Sequence, residues 1–205
     1  MTRVYDCFLF DSELDLLEHR LKELATVVDY FVIVEAATTF SGRSKPLVLK
    51  ENLDRFRWCR QKIRRVEVAP LLGDGPEAAW EREAQQRAGI LAGLRDARPD
   101  DLVMISDLDE LPGREIVARM RETLTEPAAL EMVQHYLYVG QVAPGPTCCA
   151  PNPAGPKHES GHGLAHGGSG LWRGATALRA HDLTEPGAAS VRRLRHPREW
   201  RQMRR

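Results

Sequence analysis

Leu102 to Ser106 is an apolar run of strand type that stops abruptly in Asp107-Leu108-Asp109-Glu110, with Pro112 two residues on. This pattern restricts where the segment can lie in a fold. Carboxylates spaced i and i+2, with a third beside them, are costly inside a sheet, because burying unpaired charge is unfavourable. They belong at the end of a strand, ahead of a turn set by Pro112. There the two aspartates can converge on a hard divalent cation such as Mg²⁺ or Mn²⁺ through oxygen, with a diphosphate completing the shell. A solvated acidic turn gives the same local sequence, so the assignment depends on what else reaches that rim.

The chain around this run alternates strand and helix signals. Val4 to Phe10 is rich in aromatic and β-branched residues and predicts a strand. Ser12, with Asp15 three residues on, predicts a helix start, and Leu14, Leu17, Leu21 and Leu24 then recur at helical spacing. Tyr30 to Val34 is a continuous apolar run, as expected of a strand covered on both faces, and it ends at Glu35. Lys62 to Val68 predicts a half-exposed strand, Pro76 to Arg95 a long helix, Gly113 to Leu124 a short helix and Leu130 to Val139 another strand. Such alternation predicts an α/β domain over residues 1–139 with a mostly parallel central sheet. Ligands in these sheets bind at the carboxyl ends of the strands. Glu35 and the Asp107–Glu110 cluster both fall at that edge. On the long helix, Trp80, Ala84, Arg87, Leu91 and Leu94 share one face, which sets Arg87 in an apolar stripe. A core-side arginine needs an anion. Glu83, one turn earlier, is one candidate; the carboxylate rim or a bound phosphate is the other.

From Gly140 onward the composition changes. Residues 140–205 hold ten of the sixteen glycines, seven of the thirteen prolines and five of the seven histidines, with almost no hydrophobic periodicity. An irregular Gly/Pro/His-rich tail is expected there. His158, His162 and His166 have helical ligand spacing, but Gly161, Gly163, Gly167 and Gly168 favour a linker over a metal site. Leu171-Trp172 and Thr176 to Leu178 read as a late docking piece. The tail carries ten basic and four acidic residues. No aromatic platform accompanies them, so no nucleic-acid partner is expected, and peripheral contact with an anionic membrane stays open. The four cysteines, Cys7, Cys59 and the adjacent pair Cys148-Cys149, form no C-x-x-C pattern and suggest a reducing compartment. No apolar run approaches the ~18 residues of a membrane span, and no leader-like segment opens the chain. A cytoplasmic or peripheral-membrane location is the expectation.

Several blocks, in order, resemble glycosyltransferase family 17. They are Tyr5-Asp6-Cys7-Phe8-Leu9-Phe10 with Glu13-Leu14-Asp15-Leu16-Leu17-Glu18, then Val28 to Ala36, then Phe40-Ser41-Gly42-Arg43-Ser44-Lys45-Pro46-Leu47. Trp80-Glu81-Arg82-Glu83 with Gln86-Arg87, and Ile105 to Pro112, follow. The resemblance covers roughly residues 4 to 138 and implies a GT-A type nucleotide-sugar fold. It further implies a metal-dependent inverting glycosyltransferase moving N-acetylglucosamine or a related sugar from a UDP-sugar to a glycan hydroxyl. On that basis Asp107 and Asp109 would hold Mn²⁺ or Mg²⁺ against the donor diphosphate, and Glu35 would sit near the nucleoside. Arg87 and Lys45 would contact diphosphate or acceptor, and Glu110, or Asp109, would serve as the carboxylate base. Glu35, Arg87 and Asp109 should then surround one cleft. The family's later Gly-Trp-His-type block has no counterpart here, and the expectation for residues 140–205 is an irregular, truncated acceptor-side segment. A catalytically inactive nucleotide-sugar binding remnant is the alternative function.

Overall fold

Successive residues of a strand face opposite sides, and both sides of Val4–Phe10 (β1) are covered. The structure, a computed structural model, describes residues 1–74, 78–133 and 171–183. After β1 come α1 (Leu14–Leu24), β2 (Tyr30–Ala36), α2 (Val48–Glu51), a 3-10 segment (Leu53–Lys62) and β3 (Ile63–Val68). Then follow α3 (Ala78–Ala88), α4 (Ile90–Gly93), β4 (Leu102–Ser106), α5 (Arg114–Thr123), β5 (Ala128–Val133) and β6 (Leu171–Arg179). The strands form one six-stranded sheet in the order β3-β2-β1-β4-β6-β5. β3, β2, β1 and β4 run parallel, whereas β6 is antiparallel to both of its neighbours. This is a Rossmann-like arrangement of mixed α/β type.

The alternation along β1 sorts the core into two layers. Val4, Phe8 and Phe10 pack with Leu17, Leu21 and Leu24 of α1 and Val117 of α5. Tyr5 and Cys7 pack on the other face with Val32, Val34 and Ile105, beneath Ile90 and Leu94. Each fully buried Leu or Phe contributes about 1.5–3 kcal/mol, so these layers hold the helices in place. Cys7 and Cys59 are free thiols inside the protein. Burial pushes both up, Cys59 to about 11, so neither is a nucleophile at neutral pH.

The structure departs from the sequence expectation at four places. The long helix of residues 76–95 is two helices broken at Gly89. A Cβ on Gly89 would lie 2.6 Å from Val68 Cγ1 and 2.8 Å from Val34 Cγ1, and one on Gly93 would run into Val32. The glycines let the chain lie directly on the valines of β2 and β3, and that close seat replaces a straight helix. Trp80, expected on the buried face, is exposed. Ser12 does not cap α1; Glu13 precedes the helix, without a side-chain cap, and the Ser12 hydroxyl bonds to Asp11. Finally, residues 171–179, assigned to the irregular tail, form β6, paired with β4 from Leu102↔Arg179 to Ile105↔Thr176 and with β5 beyond it. The tail expectation is corrected for that stretch. His158, His162, His166, Cys148, Cys149 and the terminal arginines lie outside the described residues. Among the described residues no helix is long and apolar enough to cross a membrane.

Candidate functional site

The chain leaves β1 toward β2 on one side and returns through β3 to β4 on the other. The carboxyl ends of β1 and β4 therefore flank the point where strand order reverses, the usual ligand crevice of such sheets. A cleft of about 470 Å³ lies there, walled by Leu9 to Asp11 at the end of β1, Thr38 to Phe40 after β2, Glu83, Gln86 and Arg87 of α3, and Asp107 to Asp109 after β4.

The Asp107–Glu110 turn is held from below by Arg20, which sequence reasoning did not single out. Its guanidinium is buried in α1 beneath the turn. Nε and Nη2 donate to the two carboxylate oxygens of Asp6 at 2.9 and 2.7 Å. Nη2 also donates to Ser106 Oγ at 2.6 Å. Nη1 donates to the carbonyl oxygens of Asp107, Leu108 and Glu110 at 2.9, 3.0 and 3.0 Å. The Phe8 ring covers the cation at 4.6 Å. One side chain thus ties β1, α1 and three carbonyls of the acidic turn together, with every donor group engaged. Two signals in the sequence point to it. Asp6 interrupts an apolar strand, and Arg20 follows Leu17 and precedes Leu21 on the buried helical stripe.

Arg87 meets both anions considered for it. Nη2 donates to Glu83 Oε1 at 2.6 Å and to Asp107 Oδ1 at 3.1 Å. Its side chain is 6% exposed, against 46% for Asp107. Nη1 is buried without a hydrogen-bond partner among the described residues. Gln86, the neighbouring residue, is buried and donates to the Val34 carbonyl at 2.8 Å and the Phe10 carbonyl at 3.4 Å. That clamp across the ends of β1 and β2 seats α3 so that Arg87 reaches the rim.

The other candidates divide. Asp109 is exposed and lines the cleft beside Asp107. Lys45 reaches Asp11, donating from Nζ to its carbonyl at 2.8 Å and lying 3.3 Å from its carboxylate, so it braces the cleft wall. Glu35 does not share the cleft. Its carboxylate is buried and accepts the backbone N–H of Leu49 at 2.6 Å and of Lys50 at 3.3 Å, and Arg65 Nη1 at 3.1 Å. It caps the start of α2, whose first N–H groups have no carbonyl partner of their own. Glu110 is also buried, accepting the Asp107 N–H on Oε2 at 2.8 Å while its own N–H donates to the Asp107 carbonyl. It shapes the turn and is not part of the cleft wall. The expected trio is therefore reduced to Arg87 and Asp109, joined by Asp107.

Among the described residues no group of three or more His, Cys, Asp or Glu side chains is gathered for a metal on its own. Two carboxylates at a cleft wall suit a hard cation that draws its remaining oxygens from water and a substrate phosphate, as Mg²⁺ commonly does.

The family model of glycosyltransferase family 17 matches residues 1–142. The chain is also similar to curated proteins named beta-1,4-mannosyl-glycoprotein 4-beta-N-acetylglucosaminyltransferase. Those of Rattus norvegicus and Homo sapiens are 33% identical and that of Mus musculus 32%, each over 138 residues. Each match takes in 63% of this chain and 26% of the relative, so the chain spans about a quarter of the length of the curated relatives it matches. All the cleft residues fall inside the matched stretch; β6 falls outside it.

Proposed function

The chain belongs to glycosyltransferase family 17, and from that premise we propose that it moves N-acetylglucosamine or a related sugar from a UDP-sugar to a glycan hydroxyl, with a divalent cation, Mn²⁺ or Mg²⁺, at Asp107 and Asp109. The fold is read as GT-A type. The observation that carries the proposal is the meeting of Asp107, Asp109 and Arg87 in one cleft at the strand-order reversal.

Charge supports the choice of donor. Among the described residues, five carboxylates (Asp11, Glu13, Glu83, Asp107 and Asp109) and one guanidinium line the cleft. Alone, such a surface repels a nucleoside diphosphate. A divalent cation on the aspartates would cancel their two charges and, when bound, would offset the charge that grows on the leaving diphosphate. Arg20 fixes the backbone of the turn that carries both aspartates to the wall, which supplies part of the preorganisation such charge stabilisation needs. An inverting displacement also needs a carboxylate near the acceptor hydroxyl. Glu110 is committed to the Asp107 N–H. Among the described residues, then, the base is sought at Asp109, Asp11, Glu13 and Glu83.

Calorimetric titration with UDP-N-acetylglucosamine, with and without Mn²⁺, tests this reading. Metal-dependent binding is expected, weakened at least about tenfold in the Asp107→Asn and Asp109→Asn variants. Binding of equal strength without metal counts against the donor site. Metal-dependent binding with neither donor hydrolysis nor transfer supports the alternative, a nucleotide-sugar binding chain without turnover.

A further inference from the structure

Asp107 serves two demands that conflict. As a cation ligand it needs its carboxylate facing the cleft, yet Arg87 Nη2 already sits 3.1 Å from Oδ1. A divalent ion held by that carboxylate would lie close to a guanidinium, and like charges so close repel even at an effective dielectric of about 20. Arg87 cannot move its charge far, because Glu83 holds the same Nη2 at 2.6 Å from the preceding turn of α3, and Gln86 pins that helix to β1 and β2. Its other terminal nitrogen, Nη1, is buried without a partner among the described residues, an unfavourable state for a charged donor. An anion in the cleft resolves both problems, since a phosphate oxygen accepts from Nη1 and screens the guanidinium from the cation.

We propose that Arg87 is a counter-ion gate: it occupies Asp107 in the absence of ligand, disfavours a cation bound alone, and turns its unpartnered Nη1 to a diphosphate when cation and diphosphate enter together. This deepens the donor-site reading and rests on it. The gate makes cation and diphosphate mutually dependent, by the same factor in either order. It keeps the acidic cleft from filling with free metal, and it explains why a buried arginine should stand among carboxylates with one donor unspent.

The proposal predicts opposite signs for two affinities. In Arg87→Met, Mn²⁺ alone, followed by electron paramagnetic resonance of the free ion, should bind about tenfold more tightly than in the unaltered protein. UDP in the presence of saturating Mn²⁺ should bind about tenfold more weakly. Glu83→Gln removes the charge that neutralises Arg87 from behind and should do the reverse: weaker binding of Mn²⁺ alone, tighter binding of UDP with Mn²⁺. It gives an independent answer should Arg87→Met fail to fold, as checked by circular dichroism. Variants that shift both affinities in the same direction, or neither, overturn the gate. The donor-site reading fails separately, if UDP with Mn²⁺ binds undiminished when Asp107 and Asp109 are both changed to Asn.

Discussion

Arg20 and Asp6 are a buried ion pair in which neither partner can turn to water. Removing one side of such a pair is far more costly than never having made it, by about 3–5 kcal/mol. Arg20→Met should lower the free energy of unfolding by that amount in urea titration, whereas Ser106→Ala, losing one of the six hydrogen bonds, should cost about 1 kcal/mol. An Arg20→Met penalty below about 1 kcal/mol would show that the latch does not hold the turn. At this scale the sequence is informative about need and silent about partners. A charged residue in an apolar stripe must be answered by an opposite charge or a row of carbonyls, and this logic identifies Arg87 and applies equally to Arg20. The pattern does not say which backbone N–H a carboxylate takes. Glu35 and Glu110 stand at strand ends in the sequence, like Asp107 and Asp109. They are separated from the cleft only by the local turns of the chain, which bring the Leu49 and Asp107 N–H groups onto them.

At the scale of elements, the strands of residues 4–36 and 102–106 are legible because continuous apolar runs have few alternatives. The break after α3 is not, since Gly89 and Gly93 in a helical stretch read equally as tolerated helix residues. Their role emerges only from the valines opposite them on β2 and β3. Gly93→Ala drives a methyl group into Val32, in the middle of the sheet, and should destabilise by about 1–3 kcal/mol as an overpacked contact. Gly113→Ala, whose added carbon would meet nothing nearer than Glu115 Oε2 at 3.8 Å, should cost less, about 0.5–1 kcal/mol, from losing glycine at the N-cap of α5. Thermal melts of the two variants give the comparison; equal shifts would mean that the close approach of α4 to β2 is not what sets its position.

Over the whole molecule, the first 139 residues announce a helix-covered parallel sheet, but the sheet is not closed within them. β6 is illegible as a strand because Leu171-Trp172-Arg173-Gly174-Ala175-Thr176-Ala177-Leu178-Arg179 lacks clean alternation and follows a glycine-rich stretch. Its place depends on pairing with residues some seventy positions earlier. It is nonetheless structural: Ala175, Ala177 and Leu178 are buried, and Arg179 donates to the carbonyls of Leu124, Asp100 and Arg121, tying the α5 end to β4. A chain cut after residue 139 leaves β5 with no strand beside it and opens the β4 edge. It should lose the cooperative thermal transition and bind a hydrophobic dye, while the full chain melts in one step; a truncated form that melts like the full chain would refute this. The same placement imposes a timetable on synthesis. Ser106 and Arg179 are separated by 73 positions. At roughly 5–20 residues per second the ribosome leaves the inner flank of β4 bare for about 4–15 s. For that interval the nascent polypeptide presents hydrogen-bonding groups to any extended neighbour, so a chaperone that shields unpaired strands would have its natural moment before β6 emerges.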